Sequence, residues 1–421
     1  MNCIQKQHLS NHHLMLFDLS IYGHHPSYIQ YLIECWEDYA IPGKLSIVVS
    51  PQFLMKHYDV VEYANRPTVQ NVEFVAITYS EEAVLANRSN GFNRNWRNFQ
   101  EWKLFRKYAR TLKVDHALVM YLDTYELPIA LDVTLPCDIS GIYFRPTFHY
   151  PQLSGKQSSR REQIQHMWER MLLHRVLHNR KFRNLFSLDP FVLKYIDNVP
   201  AWASVLHLSD PVRLDPAPAD LEDRLSQLTQ HLGIEAGRTI FLMFGALTGR
   251  KGIYQILDSI PLLPKDVNRK ICLLLVGGAD DGNRVRINHQ VDSLCERYPI
   301  QIIRHYDFVP DAEVPLYFYL SDIVLAIYQR HVGMSGILIW AATTGKPVIS
   351  SDYGLMGAIV RQYQLGTTLD SSEPKQLAQG MQTLIDNPSS AICLGMAKSF
   401  ASQNSHRDFS KLIFQCLGNS A

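Results

Sequence analysis

The sequence predicts an α/β protein made of two doubly wound parallel sheets, and three observations carry that prediction. Short apolar runs alternate with amphipathic segments along most of the chain, the pattern of parallel strands joined by covering helices. The 421 residues, 46% of them hydrophobic, suffice for two full cores. Between them, residues 209–218 carry Pro211, Pro216 and Pro218 and can continue neither a helix nor a strand. Two such Rossmann-like domains would face each other across a central cleft at the carboxyl ends of their strands.

In the first half, strands are expected near residues 14–19, 44–49, 72–77, 117–122, 139–144, 184–188 and 203–206, with helices between them. One helix should span 28–39. The clearest runs over 95–112, where Trp96, Phe99, Trp102 and Tyr108 recur at helical spacing and read as core. In the second half, strands are expected at 239–244, 271–276, 300–303, 323–327, 347–350 and 366–369. The domain boundaries follow: 1–206 for the first domain, 207–238 for the connection, 239–400 for the second, and 401–421 for a last helix packing back on the first domain. No internal repeat is evident.

Composition narrows the partners. With 41 basic and 40 acidic residues the net charge is +1, which implies no nucleic-acid partner. The seven cysteines are odd in number and scattered, with no C-x-x-C pair, so a reducing compartment is expected and a structural zinc is not. Most should be buried thiols. Residues 1–13 are polar and lack an apolar signal core, and no apolar run of about 18 residues occurs. The expectation is a soluble, cytoplasmic protein, with peripheral attachment to the cytoplasmic membrane face left open.

Residues 332–360 are the most informative stretch. Gly333, Ser335 and Gly336 form a small-residue turn into a helical run, Gly345 ends that helix, and 347–350 follows as a buried strand. Free N–H groups and the macrodipole at such a helix start suit a diphosphate. A second glycine-rich turn links the strand 239–244 to the amphipathic run 253–263 and carries Gly245, Arg250, Lys251 and Gly252. Its lysine offers phosphate oxygens a compact charge and its arginine a planar fork.

Together these turns resemble the nucleotide-sugar domain of the family 4, or group 1, retaining glycosyltransferases of the GT-B fold. The matching residues are Phe244, Gly245, Lys251 and Gly252; Leu274, Leu275, Val276, Gly277 and Gly278; Phe308, Val309 and Pro310; Val314 to Tyr317 and Ser321 to Val324; then Ser335, Gly336 and Gly345 to Ile349. The resemblance covers about the last 185 residues well and the first half in outline. It implies Lys251 and Arg250 as phosphate cations, Gly245, Met334, Ser335, Gly336 and Ile337 around the donor diphosphate, and Phe308 and Val309 beside the nucleobase. It also implies departures. The family's two glutamates, eight positions apart, fall on Val332 and Trp340, and Ala246 stands where an arginine is common. The chain therefore resembles a divergent subfamily lacking the usual glutamate pair.

The first half holds the acceptor-side candidates. Asp18 ends the first strand, and Gly23, His24 and His25 follow in a loop before a helix. Either histidine can bond a sugar hydroxyl or phosphate oxygen, or can cap the helix or stack on Tyr22. After the fifth strand come Arg145 and His149, where the family often keeps a histidine near the donor sugar. Asp123 and Glu126 lack the D-x-D spacing of a metal-binding pair, so no obligatory metal is expected. Asp123 is either a helix N-cap or a partner for an acceptor hydroxyl. Residues 160–183 hold seven arginines or lysines and two glutamates, with Ile164, Met167, Trp168, Met171, Val176 and Leu177 on one helical face. That helix either rests on an anionic membrane or packs its apolar face on its own sheet.

The expected activity is retaining, metal-independent transfer of a sugar from a nucleoside-diphosphate sugar to a hydroxyl of a glycan, lipid or small molecule, as in polysaccharide or glycolipid biosynthesis. No cofactor is obligatory beyond the donor substrate. The alternatives are a degenerate sugar- or partner-binding protein, and a nucleotide-sugar epimerase or phosphorylase on the same fold.

Overall fold

The computed structural model describes residues 12–86, 90–132, 134–155, 158–196, 202–214, 216–385 and 388–418. The reading of residues 1–11, Cys3 included, lies outside them. The chain forms two compact units and passes from one to the other at 149/150, 157/158, 211/212 and 404/405. Each is an all-parallel sheet covered by helices.

The first unit holds β1 (His13–Phe17), β2 (Lys44–Val49), β3 (Val72–Ala76), β4 (His116–Val119), β5 (Asp138–Tyr143), β6 (Phe182–Ser187) and β7 (Ser204–His207) in the order β3-β2-β1-β4-β5-β6-β7. Its core joins Met15 and Phe17 of β1 to Ala117 and Val119 of β4 and to Trp102 and Phe105 of the helix Asn90–Leu112. Phe105 meets Phe17 edge-on at 5.4 Å and stacks on Trp102 at 4.4 Å. Trp96 departs from the core expected for it: it is exposed, with the Lys103 ammonium 5.5 Å from its ring centre. Helical spacing gave a face of the helix, but the sheet beneath covers only its carboxyl-terminal turns.

The second unit holds β8 (Thr239–Phe244), β9 (Ile271–Val276), β10 (Gln301–His305), β11 (Ile323–Ala326), β12 (Val348–Ser351) and β13 (Gly366–Leu369) in the order β10-β9-β8-β11-β12-β13. Its central strands are near-continuous apolar runs because both faces are covered, and Ile271 to Val276 are all fully enclosed. Of the six described cysteines, Cys35, Cys137 and Cys272 are buried and Cys295 is exposed.

Two exchanges of chain place segments away from their sequence neighbours. Ser405 to the carboxyl terminus belongs to the first unit, where Phe414 meets Trp36 edge-on at 5.4 Å and the Ser410 hydroxyl donates to the Tyr31 carbonyl. Tyr150 to Gln157 belongs to the second. There the Gly333 amide donates to the Tyr150 hydroxyl at 2.9 Å and Arg361 donates to the Leu153 carbonyl. Gly354, at φ +58°, lies so close to the Tyr150 ring that a Cβ would sit 2.6 Å from it. Within the 207–238 stretch the structure forms the helix Leu221–Leu232, ended by Gly233 in the left-handed region.

In both sheets the strand order reverses between the unit's first strand and its fourth, at β1/β4 and at β8/β11. Such reversals splay the following loops apart and leave a crevice at the strand carboxyl ends, where open α/β sheets bind ligands.

Candidate functional site

At the β8/β11 reversal the chain leaves β8 through Gly245 (φ +99°), forms a tight turn at Gly249–Lys251, and starts the helix Ile253–Ser259 after Gly252 (φ +83°). A side chain at Gly252 would overlap the Ile327 carbonyl just past β11, at 2.3 Å, so glycine is what lets the turn press against that strand. The Gln329 amide then donates to the Arg250 carbonyl at 2.8 Å and joins the two loops.

This turn carries Lys251 inward. The residue is only 8% exposed, and its ammonium donates to the Phe244 carbonyl at 2.7 Å and to the Tyr328 hydroxyl at 2.6 Å. The Tyr328 hydroxyl lies 2.8 Å from Ser335 Oγ. Because Lys251 has only protons to give, Tyr328 accepts from it, and the phenol and the Ser335 hydroxyl share a second hydrogen bond in which either can donate. Lysine, tyrosine and serine are thus hydrogen-bonded in a row, and Ser335 stands at the N-cap of the helix Gly336–Thr343 without capping it through its side chain. The first-turn amides of Gly336 and Ile337 have no carbonyl four residues back within that helix. Cationic charge, an oriented hydroxyl and a helix start thus meet in one place, a combination suited to phosphate oxygens.

Arg250 is exposed, and its guanidinium lies 3.0 Å from His331 Nδ1 and 5.6 Å from the Tyr328 ring centre. His331 Nε2 faces the Met334 carbonyl at 3.3 Å. Arg250 can only donate, so Nδ1 accepts and Nε2 carries the proton toward Met334. Past β10, Phe308 is 86% exposed beside buried Val309. Val332 offers no polar side chain, and Trp340 stacks toward Phe318 at 6.1 Å within its helix, so this structure holds no carboxylate at either glutamate position.

At the β1/β4 reversal of the first unit, Asp18 is buried. One carboxylate oxygen accepts the Ser20 amide at 2.9 Å and the other meets His25 Nδ1 at 2.6 Å. Burial alone would lower the His25 pKa, but the charge and hydrogen bond of Asp18 outweigh it and raise the pKa above the usual histidine value. The imidazole stacks on Tyr121 at 5.4 Å, and the exposed Arg145 guanidinium lies 5.5 Å from the centre of the same ring. Gly23 adopts φ +71° in open space, and exposed His24 stacks on Tyr28 rather than Tyr22, at 6.0 Å.

Two candidates stand elsewhere than expected. Asp123 is not the N-cap of the helix Leu122–Leu131, a place taken by Tyr121. Its carboxylate reaches across to the amides of Phe144 and Arg145 at 2.9 and 2.8 Å and so fastens the loop after β5. Burial raises its pKa to about 6 against the pull of those amides. His149 is fully enclosed, with Nε2 2.9 Å from the equally enclosed Asp189 carboxylate and its ring 5.3 Å from Tyr195. In this geometry it is part of the first unit's packing and presents no face to a sugar.

Sequence reading missed Tyr328 and His331. The available signal was a phenol directly after a buried strand at the reversal point, seven residues before the serine of the helix start.

Comparisons with known proteins give a family match over part of the chain and a likeness of fold. Residues 226–403 match the family described as glycosyl transferases group 1. An uncharacterized glycosyltransferase of Methanocaldococcus jannaschii is 28% identical over 161 residues, which are 38% of this chain and 40% of that protein. The chain thus aligns with well under half the length of this curated relative. Among solved structures, the N-terminal domain of Candida albicans trehalose-6-phosphate phosphatase superposes with a TM-score of 0.67 at 12% identity, covering 98% of both chains. Sucrose-phosphate synthase of Thermosynechococcus elongatus gives 0.66 at 14%, and Anabaena HepE, solved with UDP and glucose, gives 0.60 at 13%, each over 96% of this chain and 98% of the other. At such identities the likeness concerns the fold, a two-domain α/β architecture of the GT-B type. The chain therefore resembles the group 1 glycosyltransferases, by family match over residues 226–403 and by fold over nearly its whole length.

Proposed function

We propose that this protein is a glycosyltransferase that moves a sugar from a nucleoside-diphosphate sugar to an acceptor hydroxyl, with retention of anomeric configuration and without a metal. The observation that carries the reading is the chain from Lys251 through Tyr328 to Ser335 beside the start of the helix Gly336–Thr343. It lies inside the segment that matches the family. Lys251, Arg250 and the Gly336 and Ile337 amides stabilise the charge that develops on the leaving diphosphate as the sugar C1–oxygen bond breaks. The acceptor oxygen bonds to C1 on the face the diphosphate leaves, and its proton passes to the departing phosphate oxygen, so no protein nucleophile is needed. Phe308 and Val309 flank the nucleobase, and Gly245 gives the donor backbone clearance. Asp18, His25, Gly23, His24 and Arg145, at the reversal point of the first sheet, receive the acceptor.

Val332 and Trp340 favour a second reading, a binding protein that has lost catalysis, because neither position supplies the carboxylate that the family's glutamate pair would offer the sugar hydroxyls and the ribose. The test is nucleotide release from UDP-, GDP- and ADP-glucose, with the anomeric signal of the released or transferred sugar followed by proton NMR. Release of one nucleotide with the α-anomer appearing first is expected. A β-anomer appearing first would overturn retention, and no release with any donor would favour the binding protein.

A further inference from the structure

The helix Arg160–Leu177 of the first unit divides its apolar residues between two faces. Leu172, Leu173, Val176 and Leu177 are buried. Ile164, Met167, Trp168 and Met171, spaced i, i+3, i+4 and i+7, are between 42% and 67% exposed. At about 100° of turn per residue these four fall within an arc of roughly 100°, nearly opposite the buried set. Four large apolar side chains side by side on open surface are unusual for a face meant to meet only water.

The charges sort in the same way. Both glutamates of the helix are spent on the protein itself. Glu162 completes a capping box with Ser159, and Glu169 accepts from the Tyr143 hydroxyl at 2.7 Å and from the Thr147 amide at 2.7 Å. Arg160, Arg161 and Arg175 are exposed, and Arg170, though exposed, reaches back to the protein, donating to the Phe148 carbonyl at 3.4 Å with its guanidinium 5.2 Å from that ring centre. On the same helical wheel Arg160, Arg161 and Arg175 lie within about 70° of the middle of the apolar stripe, the first two beyond one end of it and the third beyond the other. Arg170 and His174 form one edge. The outward face is therefore an apolar stripe framed by cations, with both of the helix's acids withdrawn from it.

We propose that this face docks the first unit on an anionic lipid membrane. Ile164, Met167, Trp168 and Met171 enter the boundary between headgroups and acyl chains, while Arg160, Arg161 and Arg175 bind lipid phosphates. The helix lies along the surface and does not cross it, in keeping with the absence, among the described residues, of any helix long and apolar enough to span a bilayer. A protein partner would need an acidic, apolar groove of its own; an anionic bilayer supplies both properties at once. The proposal stands apart from the glycosyltransferase reading, since it uses none of the donor-site residues.

The test is flotation of the full chain with vesicles of phosphatidylcholine, or of phosphatidylcholine with a third of the lipid replaced by phosphatidylglycerol, at low and high salt. Binding to the anionic vesicles that weakens with salt is expected. In Arg161→Gln with Arg175→Gln it should fall roughly fivefold per arginine removed, and in Trp168→Ser with Met167→Ser it should be lost. Every substituted side chain is exposed, so unchanged thermal unfolding midpoints should show that these variants fold. Absence of binding to anionic vesicles, or equal binding by the Trp168→Ser, Met167→Ser protein, would overturn the proposal. So would sedimentation velocity showing a self-associated species that the same variant abolishes, because the face would then meet a second copy of the chain.

Discussion

Tyr328→Phe tests the chain that orders the donor site. The change removes one oxygen and keeps the ring, so the cation–π contact of Lys251, 4.5 Å from the ring centre, survives. What is lost is the 2.6 Å acceptor for the Lys251 ammonium and the 2.8 Å hydrogen bond with the Ser335 hydroxyl. A hydrogen bond to a charged group is worth about 1.5 to 3 kcal/mol. Lys251 keeps the Phe244 carbonyl, and partly exposed Ser335 can turn to water, so most of that loss should fall on ligand binding and less on folding. Nucleoside diphosphate affinity should then drop roughly tenfold to 150-fold. Isothermal titration of wild type, Tyr328→Phe, Ser335→Ala and the double variant gives the coupling as well as the loss. If the tyrosine hydroxyl couples lysine to serine, the two changes are non-additive by more than about 0.5 kcal/mol. A folded Tyr328→Phe protein that binds within twofold of wild type, or strictly additive losses, would refute the chain.

Further outcomes follow from neighbouring geometry. Gly245→Ala places a Cβ 2.9 Å from the Lys251 ammonium on a backbone at φ +99°, so it should displace the lysine and abolish nucleotide binding by titration calorimetry while the protein still unfolds cooperatively. Asp189→Asn replaces the enclosed carboxylate that faces His149 by an amide and should cost about 1 to 3 kcal/mol of stability by denaturant unfolding, with little change in nucleotide affinity. The raised pKa of His25 gives a pH signature. Its protonated pairing with Asp18 stabilises fully below the unfolded value of 6.5 and is lost as pH rises through the higher folded value, so the unfolding midpoint should fall across that window. Asp18→Asn should remove that pH dependence, which a series of thermal melts would show.

Most of the fold could be read from sequence because both sheets are parallel and covered. The strand Ile271–Val276 appears as an uninterrupted apolar run and Lys44–Val49 as one broken after its first residue only at Ser46, and Gly277 beside the former marks a close approach to the Gly245 backbone. Burial on one face of a long helix was less legible. Trp96 and Trp102 share a spacing, but only Trp102 meets the sheet, and in the helix Arg160–Leu177 the apolar stripe that faces out looks like the one that faces in. Side chains with several possible partners were least legible. Asp123 next to a helix start suggests a cap, yet its partners lie 21 and 22 residues on, and His149 is withdrawn by Asp189, 40 residues away. The transfer of Tyr150–Gln157 to the second unit depends on Gly333 and Gly354, whose fit to one tyrosine ring no local pattern announces. Lys251 and Arg250 stood out because a glycine-rich turn places them, whereas Tyr328 comes beside Lys251 only through where β11 ends.

The measurement that bears most directly on the donor-site reading is a thermal-shift titration with UDP, GDP and ADP on wild type and Lys251→Ala. A nucleotide that binds only the folded state at about 100 times its dissociation constant stabilises it by roughly 2.7 kcal/mol. Stabilisation by one of the three that disappears in Lys251→Ala is the predicted result. No shift with any nucleotide at millimolar concentration, or an equal shift in both proteins, would contradict it.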